Sequence, residues 1–269
     1  MTRLSPTSYL SHIEDESARL REALADAAPT ARVPACPDWT AHDLLAHHTS
    51  VLEFWSGVVT NRPAAPQDEG EQDLTGSSHD ELLERHERAS DGLVRALTGL
   101  PEGEPAWTWS DDQTVGFILR RQALEALVHR IDAEQTRGRS TDVDALLAAD
   151  GVLEVLDVMY GGTPPWGTWE PTDGTVRVDV TDTGHQFWVQ LGEFNGTHPR
   201  TGEELTGEVD FHVVAAPESA DTEPDVVVDG TSEVLLGWLW HRADRAGVSM
   251  TGDAEVLARM LTVLEHPID

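Results

Sequence analysis

The chain has 269 residues, 39% of them apolar, which is enough for one large domain or two ordinary ones with real cores. Its 49 acidic residues outnumber its 18 basic ones, and the formal net charge of −31 disfavours nucleic acid and anionic membranes as partners. Every basic residue is Arg, which excludes Schiff-base chemistry and a lysine general base. The single cysteine, Cys36, excludes an intrachain disulfide framework and a cysteine-rich zinc site.

Any metal must therefore be held by His, Asp and Glu. Arg-only usage among many Ala, Gly, Asp and Val residues fits a GC-rich bacterial genome. No apolar run reaches the length of a membrane span. The opening MTRLSPTSYLSHIEDE lacks the apolar stretch of a signal peptide, so a cytoplasmic protein is expected.

Leu10, Ile13, Leu20 and Leu24 fall at helical spacing and predict a helix over about 6–27. A Pro- and Ala-rich turn ending in VPACPDWT follows. Thr40 with Asp43 reads as a capping box opening a helix that carries Leu44, Leu45, Val51, Leu52, Trp55 and Val59. An acidic loop is expected over about 61–77. Ser78 with Glu81 is a second capping box, and its helix ends at Gly99 and Pro101. A connection containing Trp107 and Trp109 leads to a long helix over about 114–136. Trp55, Trp107 and Trp109 are expected in core or interdomain packing. Four such helices suggest a bundle. A fifth helix, about 142–159, ends at Gly161 and Gly162.

The stretch from Gly161 to Gly174 interrupts this pattern, and the domain boundary is expected there, with a first domain over 1–162, a linker over 163–174 and a second domain over 175–269. Periodicity then switches to two. Thr175–Val180 alternates as a strand and pairs with His185–Leu191 across a turn at Asp182–Gly184. Further strands are expected at Val209–Ala216 and Asp225–Val228. Helices follow at about 231–243 and 253–264, with a short strand ending at Thr251-Gly252-Asp253 between them. The expected fold class is a two-domain α+β chain: a helical bundle followed by a small α+β unit.

Glu125 and His129 are four apart on the long helix and share a face, beside the apolar row Phe117, Leu124, Val128 and Ile131. A carboxylate and an imidazole so placed can reach one metal ion, although the same spacing also serves a surface ion pair or a hydrogen-bonded histidine. The second helix offers His42, His47 and His48. The last two border its apolar stripe, and either could complete a His/Glu/His set that leaves a coordination position open, as catalytic zinc requires.

The segment Pro34-Ala-Cys-Pro-Asp-Trp-Thr-Ala-His-Asp-Leu-Leu-Ala-His47 resembles the first signature of the mycothiol-dependent maleylpyruvate isomerase family, a branch of the DinB/YfiT-like metalloenzymes. Glu125-Ala-Leu-Val-His129-Arg-Ile-Asp-Ala-Glu134 resembles its second signature. Leu235-Leu-Gly-Trp-Leu-Trp-His-Arg242 and Thr251-Gly-Asp253 resemble its sterol-carrier-like C-terminal domain, with His241 in place of a Gly. The resemblance implies a DinB-like four-helix bundle and a sterol-carrier-like domain, with His47, Glu125 and His129 as ligands to a divalent metal, zinc by expectation. His48 stands where an apolar residue is more usual.

By the same resemblance the cosubstrate is mycothiol, and an actinobacterial source is expected. The implied activity is isomerisation or S-transfer on an electrophilic small molecule such as a maleylpyruvate-like acid. Arg242 has the bidentate fork suited to a substrate carboxylate, and is the catalytic candidate. Asp132 and Glu134 could orient His129 or Arg130. Cys36 reads as a small turn residue rather than a nucleophile. The alternative function is a non-catalytic ligand-binding or regulatory module that retains the fold, and a metal-dependent hydrolase is a third reading.

Overall fold

The computed structural model describes residues 3–63, 72–219 and 221–268, so the middle of the acidic loop expected over 61–77 lies outside the described residues. The chain divides into two compact units at Asp142/Val143. The expectation placed the boundary later, at 163–174. Helix α5 (Ala145–Glu154) packs on α6 (Ser232–Leu239), and so goes with the C-terminal unit.

The N-terminal unit contains α1 (Pro6–Ala25), α2 (Ala41–Asn61), α3 (His79–Leu97) and α4 (Val115–Gln135). Thr40 and Ser78 cap α2 and α3 with the expected reciprocal boxes: Thr40 N–H donates to Asp43 Oδ2 at 2.8 Å, and Ser78 N–H donates to Glu81 Oε2 at 2.9 Å. The segment read as a turn instead forms a small antiparallel pair, β1 (Arg32–Val33) with β2 (Cys36–Thr40). Pro37 is tolerated there because a two-stranded ribbon leaves each strand an edge. Helix α1 packs along α4, and α2 along α3. Leu20, Leu24, Leu44, Leu45, Val33 and Leu82 form one apolar cluster among these elements.

Buried polar joints fix these helix pairings. Between α1 and α4, the fully buried Arg130 donates from Nε to Glu16 Oε2 at 2.7 Å and from Nη1 to Glu134 Oε2 at 3.0 Å. Glu134 also accepts from the Thr141 hydroxyl at 2.7 Å. Between α2 and α3, His48 Nδ1 meets His86 Nε2 at 2.8 Å with both rings buried. The ring nitrogens on their far sides, His48 Nε2 and His86 Nδ1, have no hydrogen-bond partner among the described residues. Burial, together with the neighbouring imidazole, pushes the His48 pKa well below the ordinary value. Burial, with Arg21 adding to it, takes that of His86 down to about 3.

In the C-terminal unit α5 continues as one π-helical stretch, Val155–Tyr160, and then enters a five-stranded sheet. The strands are β3 (Gly167–Val180), β4 (His185–Thr197), β5 (Glu204–Val214), β6 (Val226–Gly230) and β7 (Ser249–Gly252), in the order β5-β4-β3-β6-β7. Strand β6 runs parallel to β3, and the other pairings are antiparallel. Val176, Val178 and Val180 alternate into the core as the period of two predicts.

Strand β3 starts at Gly167, inside the expected linker. Its Pro171–Gly174 stretch is a register shift within a strand rather than a break, with Gly174 at φ +117. Trp166 and Trp169 make this extension possible. The Trp169 ring lies where a side chain at Gly192 would otherwise stand, and at Gly196 the Trp166 carbonyl, the Gly167 Cα and the edge of the Trp166 ring leave no room for one. Helix α7 (Ala254–Leu264) packs on β3, β4 and β5. Among the described residues no helix is long and apolar enough to cross a membrane.

Two stability tests follow from the joints. Arg130→Met leaves Glu16 and Glu134 buried without their guanidinium, and should cost about 3–5 kcal/mol in urea unfolding. Replacing Glu16 by Gln in the same chain should recover part of that loss. For the imidazole pair the folded pKa values lie below the unfolded value near 6.5, so the unfolded state binds protons that the folded state refuses. Stability should therefore fall as pH drops below about 6.5, by about 2 kcal/mol at pH 5 for His86 alone. In metal-free protein, a His48→Leu/His86→Leu chain should lose this part of the acid slope. An unchanged slope would show that the pair does not carry it.

Candidate metal centre

Helix α4 is enclosed along nearly its whole length, so its polar residues must find partners inside the protein. Glu125 and His129, 9% and 7% exposed, present their functional atoms on one side of it. Helix α2 brings His47 to them from across the bundle. His129 Nε2 lies 3.0 Å from Glu125 Oε1 and 3.2 Å from His47 Nε2, and the His47 to Glu125 Oε1 distance is 3.5 Å. One ligand atom from each residue falls within 4.8 Å of the others. The three residues singled out from the sequence therefore converge, from two helices.

The surrounding groups fix what this cluster can do. His129 Nδ1 lies 3.0 Å from Asp132 Oδ2 and donates to that carboxylate, which is fully buried. In a neutral His129 ring Nε2 then carries a lone pair, and it faces a carboxylate oxygen that also only accepts. Two acceptors at this distance require a proton shared between them or a metal cation. The electrostatics agree. Burial alone would lower the His129 pKa, but the Glu125 and Asp132 carboxylates overcome it and hold it above the ordinary value. Burial alone would raise Glu125, but Arg121 and His129 hold it well below the carboxylate range. Two imidazole nitrogens and one carboxylate oxygen are a donor set that suits catalytic zinc.

His48, one residue on, meets His86 instead of joining the ligand cluster, although its ring lies edge-on to that of His129 at 5.9 Å. The Trp39 ring packs 4.6 Å from that of His47, so the Trp of the first signature walls the centre. Arg121 pairs with Glu125 Oε2. Arg121 and His86 were missed in the sequence. Arg121 sits one turn before Glu125, a spacing that could have flagged it, whereas no local spacing links His86 to His48. Of the second signature's acids, Asp132 serves His129, and Glu134 serves Arg130.

The remaining candidates lie elsewhere. Arg242 belongs to the C-terminal unit, just after α6, with Nη1 donating to Trp240 O at 2.7 Å. The preceding His241 adopts a left-handed φ of +58, a conformation that favours the Gly it replaces. Its Nε2 lies 2.8 Å from Leu264 O and 3.2 Å from the Tyr160 hydroxyl, contacts that offset the backbone cost. Trp55 stacks on Trp107, as expected of packing residues, whereas Trp109 is 50% exposed against Phe117. Cys36 lies half-buried on β2.

The profile of the mycothiol maleylpyruvate isomerase N-terminal domain matches residues 10–134, and that of the family's C-terminal domain matches residues 147–259. No curated sequence matches the chain. Among solved structures, a crystal structure of the mycothiol-dependent maleylpyruvate isomerase aligns over 93% of this chain and 95% of its own, with a TM-score of 0.60 and 14% identity. A histidine-to-alanine variant of that enzyme aligns equally well. At such identity the likeness establishes the fold, whereas the two profiles cover the signatures that carry the site residues. The chain belongs to the mycothiol maleylpyruvate isomerase family, with its characteristic N-terminal and C-terminal domains in order.

Proposed function

We propose that the chain is a metal-dependent enzyme that uses mycothiol to isomerise an electrophilic small acid of the maleylpyruvate type, or to form its thiol conjugate by S-transfer. The reading rests first on the converging acceptors of His47, Glu125 and His129, and second on family membership. His47, Glu125 and His129 would hold the cation. A divalent cation, when bound there, lowers the pKa of a thiol beside it and supplies thiolate near neutral pH.

The chemistry balances without any redox partner. A thiolate adds to the electron-poor carbon of a conjugated double bond, forming a C–S bond while the π pair moves toward the carbonyl. The former double bond is then single and rotates. Return of the pair restores the double bond and expels the thiolate, giving the isomer. If the adduct is protonated on carbon instead, the conjugate is the product and the reaction is an S-transfer.

The chain's own residues prepare this step. Asp132 holds the His129 ring in one tautomer, with its ligating nitrogen turned toward Glu125. Trp39 shields one side of His47. The enclosure of Glu125 and His129 limits water and strengthens every charge interaction at the site. We assign recognition of the substrate carboxylate to Arg242, on the bidentate fork of its guanidinium.

Elemental analysis tests the reading. The wild type should carry near-stoichiometric divalent metal, and Glu125→Ala and His129→Ala should lose both metal and thiol-dependent turnover. Asp132→Asn should bind metal about 10–100-fold more weakly. A His129→Ala chain that is metal-free yet fully active would sink the proposal. Turnover that is indifferent to added thiol would point to a hydrolase instead.

A further inference from the structure

Residues Phe117, Arg121, Glu125 and His129 follow one another at i, i+4 steps along α4, and all are at most 9% exposed. The two oxygens of Glu125 are divided between different partners. Oε1 faces the imidazoles, at 3.0 Å from His129 and 3.5 Å from His47. Oε2 is held by the Arg121 guanidinium, itself only 8% exposed. A charge-assisted pair of this kind in a dry setting is stronger and more sharply oriented than a neutral hydrogen bond.

A carboxylate with both oxygens free can close on a cation through both. That would add a protein ligand and fill a position that a cosubstrate needs, since catalytic centres keep one position open. We propose that Arg121 is a positioning residue that restricts Glu125 to one ligating oxygen and so keeps a coordination position open for the thiol. This inference rests on the metal-centre reading above.

Affinity alone does not test it, because removing a guanidinium from beside a cation also removes a Coulomb repulsion. The discriminating quantity is coordination number. Cobalt(II) substituted into the full-length protein reports it directly: four-coordinate cobalt absorbs strongly in the visible, and higher coordination absorbs weakly. An added simple thiol, 2-mercaptoethanol, gives a near-ultraviolet thiolate-to-cobalt band when it takes the open position.

Wild type and Arg121→Lys, which keeps a charged donor, should show the strong visible bands and gain the thiolate band. Arg121→Met should bind cobalt with weak visible bands and need at least about tenfold more thiol for the same thiolate signal. Arg121→Ala, checked with Arg121→Met by circular dichroism, provides the same reading should the Met variant not fold. A wild type that binds no cobalt would overturn the metal centre, and this inference with it. A cobalt-loaded wild type indistinguishable from Arg121→Met and Arg121→Ala, in both the visible bands and the thiol titration, would overturn the role of Arg121 alone.

Discussion

Seven ionisable side chains on one enclosed helix impose the constraint on which the N-terminal unit is built. Helix α4 carries Arg120, Arg121, Glu125, His129, Arg130, Asp132 and Glu134, all at most 9% exposed. An isolated buried charge costs far more than a small domain's net stability, so such groups must be paired and their partners must sit at fixed positions. Arg130 draws Glu16 of α1 and Glu134 to itself, and Asp132 takes the ring of His129. Replacing a whole buried ion pair by well-packed apolar residues is often neutral or stabilising. What that exchange would remove is the orientation of Glu125 and His129, which the site needs.

The centre is thus preorganised from behind. Asp132 faces one nitrogen of His129 and Arg121 one oxygen of Glu125, so the atoms that remain turn toward His47. His47 itself is more exposed than the two α4 residues, which places the accessible side of the cluster toward α2. The buried imidazole pair of His48 and His86 holds α2 against α3 immediately beside this point. A rigid α2 matters because His47 is the one member of the cluster that α4 does not carry.

The C-terminal unit follows a different logic. Its sheet is continued past a Pro- and Gly-containing irregularity by tryptophans laid over glycines, an arrangement in which Gly192 and Gly196 make room for Trp169 and Trp166. Near Arg242, the left-handed turn at His241 is secured by a side chain rather than left to a glycine's freedom. Both devices specify backbone shape through contacts distant in sequence.

How much of this was legible beforehand depends on the range of the forces involved. Capping boxes at Thr40 and Ser78, the period of two in Val176, Val178 and Val180, and the turn at Gly184 are local, and each element stands where the sequence placed it. The grouping of Glu125 with His129 was equally local, since one helical turn separates them. The choice of His47 over His48 rested on family resemblance, and only the packing of α2 against α3 gave His48 its partner, His86, 38 residues away. The start of β3 inside the expected linker had the same cause: Pro171 and Gly174 read locally as a break, but pairing with β4 and cover from Trp169 outweigh that preference. The sequence by itself determined the long helices, the alternating stretches of the strands and which residue types could ligate a metal, because those follow from neighbours within a turn or a pleat. The tertiary structure decided which of them meet, because the cost of burying unpaired charge and imidazole is settled only by partners brought in from other helices.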